Sequence, residues 1–126
     1  MLNKKIIKTD LAPAAVGTYS QGVEYNGVFY FSGQIGIDPK TGVLAEGFNA
    51  QLDLVMKNID GLLKSQDLDR TNIIKTSIFL TDLNNFATLN ETMTQYVQAP
   101  FPARSTIQVS ALPKGGLVEI EVIATK

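Results

Sequence analysis

Apolar positions recur along this chain with two different periods, and the switches between them mark its elements. Lys4 to Lys8 reads as a short strand or arm, and Thr9 to Thr18 as a loop punctuated by Asp10, Pro13 and Gly17. Gln21 to Tyr25 and Val28 to Ser32 flank Asn26-Gly27. Both central residues of a type I′ turn take positive φ, so this pair between apolar runs predicts a hairpin. Ser32-Gly33-Gln34-Ile35-Gly36 continues or kinks the second strand, and Asp38 to Gly42 is a turn. From Phe48 the period becomes helical. Phe48, Leu52, Val55, Met56, Ile59, Leu62 and Leu63 form one stripe, with Gln51, Asp53, Lys57 and Lys64 off it. Ser65 to Asn72 is a polar connection, and Ile73 to Leu80 a β-branched strand. Asp82 or Asn84 caps a second helix whose inner face is Phe86, Leu89, Met93 and Val97, ended by Pro100 and Pro102.

Pro102 to Lys126 reads as two strands joined by a Pro/Gly loop, Ala111 to Gly116. In the last strand Val118, Ile120, Val122 and Ala124 face a core, while Leu117, Glu119, Glu121 and Ile123 share the other face. The order β-β-β-α-β-α-β-β predicts one α+β domain over residues 1–126, a mixed six-stranded sheet with two helices packed on one face. A strand-helix-strand passage between parallel neighbours would be a right-handed crossover. Opposite the helices we expect a mixed surface, with Tyr25, Phe29 and Ile123 beside Thr106, Gln108 and Glu119. Such a face suits an oligomer with wet clefts between subunits.

Composition narrows the chemistry. The 126 residues include no Cys and no His, so disulfides, thiol nucleophiles, zinc-thiolate sites and Ser-His triads are excluded. Catalysis would have to use carboxylates, Tyr, Lys, Arg, hydroxyls, backbone groups or water. A net charge of −1 gives no field to attract a polyanion, so nucleic acid is a disfavoured partner. No apolar run approaches the roughly 18 residues that cross a bilayer, and no apolar segment with a cleavage site follows the first lysines. A cytoplasmic protein without a membrane span is expected.

The candidate groups gather near the end of the chain. Arg104 opens the penultimate strand, and Glu119 and Glu121 interrupt the last one. By spacing alone, a structural ion pair between Arg104 and one of these glutamates ranks ahead of ligand binding, and a strand glutamate is usually solvated. Four stretches then resemble the RidA/YjgF family, in order and over nearly the whole chain. They are Ala-Pro-Ala-Ala-Val-Gly-Thr-Tyr-Ser-Gln-Gly (Ala12 to Gly22), Phe-Ser-Gly-Gln-Ile-Gly (Phe31 to Gly36), Asp-Leu-Asn-Asn-Phe-Ala-Thr-Leu-Asn (Asp82 to Asn90), and Pro-Ala-Arg-Ser with Leu-Pro and Glu-Ile-Glu after it.

That resemblance implies a chorismate-mutase-like fold assembled as a homotrimer, with a cleft at each subunit interface. The implied activity is hydrolysis of reactive enamines and imines, such as 2-aminoacrylate and 2-iminobutanoate, to 2-keto acids and ammonia without metal or organic cofactor. Residue by residue, it makes Arg104 the grip on the substrate carboxylate and Glu119 the group that positions or activates water. Tyr19 lines the cleft, the Ser32-Gly33 backbone approaches the ligand closely, and Asn90 sits beside the cleft. Glu121 is left a structural role. A bidentate guanidinium suits a carboxylate, and a half-buried glutamate should have a raised pKa. Thr18, the Thr106-Ile107 pair, Met93 and a short connection from Met93 to Pro102 depart from the family pattern; none touches Arg104, Glu119 or Tyr19, and the short connection, as a wall of the cleft, bears on substrate range. Two other readings stay open: an endoribonuclease that inhibits translation, and a non-catalytic trimer that binds a small carboxylate.

Overall fold

A computed structural model describes residues 2–126. Its strands are β1 (Lys5–Ile7), β2 (Gly22–Tyr25), β3 (Val28–Phe31), β4 (Gln34–Ile35), β5 (Ile73–Leu80), β6 (Ala103–Gln108) and β7 (Val118–Thr125), and its helices are α1 (Phe48–Ser65) and α2 (Phe86–Met93). The sheet runs β1-β2-β3-β7-β5-β6, and it has seven strands rather than the six expected, because the segment after β3 breaks and pairs again with β7 as the short separate strand β4. Only β5 and β6 are parallel; β7 lies between β3 and β5 and runs antiparallel to both. The hairpin forms where expected: Asn26 (φ 52°) and Gly27 (φ 79°) both take the positive φ that a type I′ turn requires.

Alternation along β7 organises the core. Val118, Ile120, Val122 and Ala124 are buried, opposite Leu80, Ile78, Thr76 and Ile73 of β5. The stripe Leu52, Val55, Met56, Ile59, Leu62 and Leu63 of α1 packs into the same cluster. Each such aliphatic side chain contributes about 1.5–3 kcal/mol by leaving water. No side chain caps the N-terminus of α1, where Gly47 precedes it at φ 89°, so packing of the stripe is what holds this helix.

Three further expectations change. Gln51, placed off the apolar stripe by periodicity, is buried. Its Nε2 donates to the Ala45 carbonyl at 3.0 Å, and its Oε1 accepts from Leu117 N–H at 2.8 Å. The coil before α1 and the entry to β7 leave backbone groups that only a buried amide can satisfy. Second, α2 is short: Phe86 is exposed and Val97 lies in the turn beyond it, donating to the Met93 carbonyl at 3.0 Å. Asp82 accepts from Asn84 N–H at 2.9 Å and so caps the 3₁₀ turn before α2. Third, Phe29 belongs to the core, and Thr106 and Gln108 sit on the helix side, in register with Ile78 and Leu80. The open face carries Tyr30 and Ile123, with Glu119 and Glu121 beside them. The chain passes from β3 through α1 to β5, but these strands are not neighbours, because β7 separates them.

Gly61 lies mid-helix, where alanine would ordinarily stabilise by up to about 1 kcal/mol. Here an added Cβ would collide with the Leu11 carbonyl, 2.8 Å from its carbon and 3.0 Å from the Leu11 Cβ. We therefore expect Gly61→Ala to lower stability by about 1–3 kcal/mol, as overpacking does. Urea unfolding at matched protein concentration would check the sign.

Candidate functional site

The six residues singled out in the sequence separate into two clefts on opposite sides of one sheet. From Tyr30 to Gln34 the chain advances four residues while β7 advances three, from Ile123 to Ile120. The extra residue is a β-bulge at Ser32-Gly33. It reverses the alternation, so that Gln34 becomes buried and Ile35 stands opposite Glu119.

The bulge also lays Gly33 against the Glu119 carboxylate. A Cβ on Gly33 would meet the carboxylate oxygen, and would lie 2.8 Å from its carbon. Glycine leaves the carboxylate where it is; any Cβ here would make the Glu119 side chain swing away. Ser32 Oγ donates to the Ser20 carbonyl at 2.6 Å, and Ser32 N–H to the Gln21 carbonyl at 2.9 Å. Behind them the Gln21 amide accepts from Thr9 N–H at 2.7 Å and donates to the Pro13 carbonyl at 2.8 Å. These bonds hang the Tyr19 loop beside the bulge. Tyr19, Ser32, Gly33 and Glu119 then line one cleft of about 480 Å³, together with Ile35 and Lys114. Tyr19 stays more than half exposed there.

Burial pushes the Glu119 carboxyl above its ordinary pKa, and the negative charge of Glu121, two residues along the same face, pushes it further. Phe79 and Ser77 of β5 stand opposite these two glutamates, and neither brings a positive charge. Among the described residues, Lys114 is the one cation in the lining.

Arg104 lies elsewhere. It is in register with buried Thr76, on the side of the sheet that the helices cover, and its guanidinium sits 5.5 Å from the centre of the Phe86 ring at the start of α2. Arg104 and Asn90 line a second cleft of about 280 Å³ with Thr76, Met93, Val97 and Phe101. No carboxylate pairs with Arg104 among the described residues. An ion pair to Glu119 or Glu121 within one chain, first by spacing, is ruled out by topology: the sheet stands between them. The guanidinium is exposed and free to take an anion.

Two residues were not among the sequence-predicted site residues. Thr106, expected opposite the helices, projects on the Arg104 face, and its Oγ1 is buried without a hydrogen-bond partner among the described residues; its position two residues after Arg104 was the available signal. Lys114 enters the Glu119 cleft from the loop before β7 at φ 58°, a placement that no local pattern encodes.

Residues 9–126 match the family model described as Endoribonuclease L-PSP. The chain is 48% identical over 126 residues to the 2-iminobutanoate/2-iminopropanoate deaminase of Bos taurus, covering 99% of this chain and 92% of the relative. Among solved structures, RidA from the Antarctic bacterium Psychrobacter sp. superposes with a TM-score of 0.94 at 48% identity, covering 97% of this chain and 99% of that one. TdcF of E. coli with bound serine has a TM-score of 0.89 at 40% identity, covering 97% and 98%.

The charge of Glu121 acts on Glu119 through the open face. Glu121→Gln should therefore lower the pH at which Glu119 titrates, read by carbon-13 NMR of labelled glutamate; an unmoved titration would mean that solvent screens the pair.

Proposed function

The chain belongs to the RidA/YjgF family, and on that footing we propose that it is a 2-iminobutanoate/2-iminopropanoate deaminase, hydrolysing reactive imines to 2-keto acids and ammonia. The observation that carries this reading is the 48% identity to a deaminase over nearly the whole of both chains, with an unpaired arginine in one cleft and a desolvated glutamate in another. Arg104 grips the substrate carboxylate through its planar donor fork. Serine bound to TdcF presents a carboxylate of the same kind.

Glu119 accepts a proton from water as the water oxygen bonds to the imine carbon. Glu119 passes that proton to the imine nitrogen, giving a carbinolamine; the carbinolamine hydroxyl then gives its own proton, through Glu119, to the same nitrogen as the carbon–oxygen double bond forms and the carbon–nitrogen bond breaks, so that ammonia and the keto acid leave. Tyr19 and the Gly33 backbone orient the water and the ligand, and Asn90 borders the carboxylate end. A positioned base of this kind contributes about 10² to 10⁴-fold.

Because Arg104 and Glu119 lie on opposite sides of their sheet, one substrate meets both only if they come from different subunits. We propose a homotrimer whose subunits complete one another's sites. The accessible surface is 7495 Å², against roughly 6,600 Å² for a folded monomer of this mass. Tyr30 and Ile107 are about half exposed on the open face, which a partner would cover. The ribonuclease reading takes support from the family model's description, but a net charge of −1 and the lack of histidine leave RNA little to bind and no imidazole to cleave it. A steep salt dependence of RNA binding would revive it.

The test is keto-acid release from 2-iminobutanoate generated in situ by a threonine dehydratase. Arg104→Ala should abolish turnover and Glu119→Gln should reduce it about 10² to 10⁴-fold, both with the assembly intact by sedimentation. Refolding the two inactive variants together at equal amounts should restore about a quarter of wild-type activity, since a random cyclic assembly rebuilds one shared site in four. Arg104→Ala at wild-type activity would sink the assignment. No recovery on mixing would put both groups in one subunit.

A further inference from the structure

The Arg104 cleft shares a wall with a second, larger cavity. That outer cavity, about 600 Å³, lies between the end of α1 and the segment after α2, and Val97 and Pro102 line both spaces. The segment between them is sparsely bonded. Gln98, Ala99, Pro100 and Phe101 make no loop backbone hydrogen bonds among the described residues, and Pro100 has no N–H to give. Phe101 is largely exposed at the rim.

Backbone bonds from Tyr96 N–H and Val97 N–H to the Met93 carbonyl, both 3.0 Å, anchor the first residues of this wall, and a chain of side chains braces it from the far side. Tyr96 packs against the core, and its hydroxyl donates to Asp53 Oδ1 of α1 at 2.6 Å. Lys57 Nζ lies 3.2 Å from Asp53 Oδ2. The Arg70 guanidinium stacks 4.7 Å from the Tyr96 ring centre while its Nε donates to Asp60 Oδ1 at 2.7 Å. Tyr96 is thus fixed by α1 at its hydroxyl and by the connection before β5 at its ring face.

We infer that Tyr96, through its hydrogen bond to Asp53, is a positioning residue that sets the wall of the Arg104 cleft and thereby the affinity for the imino acid held there; this rests on the deaminase reading. The bond persists across the working range. Burial and the neighbouring Asp53 push the Tyr96 hydroxyl up to about 12, and the bond from Tyr96, with Lys57 after it, holds Asp53 below the usual carboxylate range. The donor stays protonated and the acceptor ionised at neutral pH. In the proposed trimer the Glu119 that meets this substrate belongs to another subunit and does not touch the wall, so a loosened wall weakens binding and leaves the chemical step alone.

Tyr96→Phe keeps the ring beneath Arg70 and removes only the hydroxyl. With 2-iminobutanoate it should raise KM about fivefold, the factor one net hydrogen bond carries, with kcat within twofold and the assembly intact. Asp53→Ala should do the same, and the double variant should be no worse than either single one. Asp53→Asn still offers an oxygen to the hydroxyl and should stay within twofold of wild type. An unchanged KM in Tyr96→Phe, a fall in kcat alone, or additive effects in the double variant would overturn the inference. If the wild type releases no keto acid above the spontaneous rate, the deaminase reading falls by itself. The clamp is then judged by calorimetric Kd for 2-oxobutanoate, about fivefold weaker in Tyr96→Phe if it holds and equal if it does not.

Discussion

A strand sends successive side chains to opposite faces, and the whole arrangement depends on how β7 uses that rule. Its even-numbered residues bury an apolar row against both neighbouring strands and α1. Its odd-numbered residues therefore have nowhere to go but the open face, and two of them are glutamates. A carboxylate is brought beside a packed core without being placed in it. That is the condition for a raised but usable pKa.

The bulge at Ser32-Gly33 makes this position more than an exposed glutamate. One extra residue re-aims the strand, sets a glycine backbone over the Glu119 carboxylate and holds the Tyr19 loop by the Ser32 hydroxyl. Partial desolvation follows from the covering backbone, and the water-facing side stays open through the cleft. Packing and chemistry are linked here by a register shift.

The same alternation separates Arg104 from Glu119. β6 is parallel to β5, and its register places Arg104 with Thr76 among the helix-side residues. An arginine left without a carboxylate, a threonine hydroxyl left without a partner among the described residues and apolar side chains exposed on the open face are the features on which the proposed sharing of sites between subunits rests. The segment from Tyr96 to Pro102 closes the Arg104 side, and α1 braces it from behind. A single helix therefore serves the core, the entry to β7 through Gln51, and this wall through Asp53.

Local pattern made much of the fold legible: the Asn26-Gly27 hairpin, the extent of α1, the apolar face of β7 and, apart from β4, the order of elements follow from residue types a few positions apart. The likeness of Tyr19, Ser32-Gly33, Asn90, Arg104 and Glu119 to a family pattern was also legible, because residue types at set intervals survive without coordinates. Spacing misled where a distant group was needed. Gln51 looked like a surface residue until Ala45 and Leu117 supplied its bonds, and Phe29 joined the core only through pairing with Ala124. Which face Arg104 occupies depends on a parallel register between strands some thirty residues apart in sequence, and no local pattern carries that information. The sequence by itself determined which groups were present for the chemistry. Tertiary structure decided that they stand on two sides of one sheet, because side-chain direction in a strand is set by its pairing.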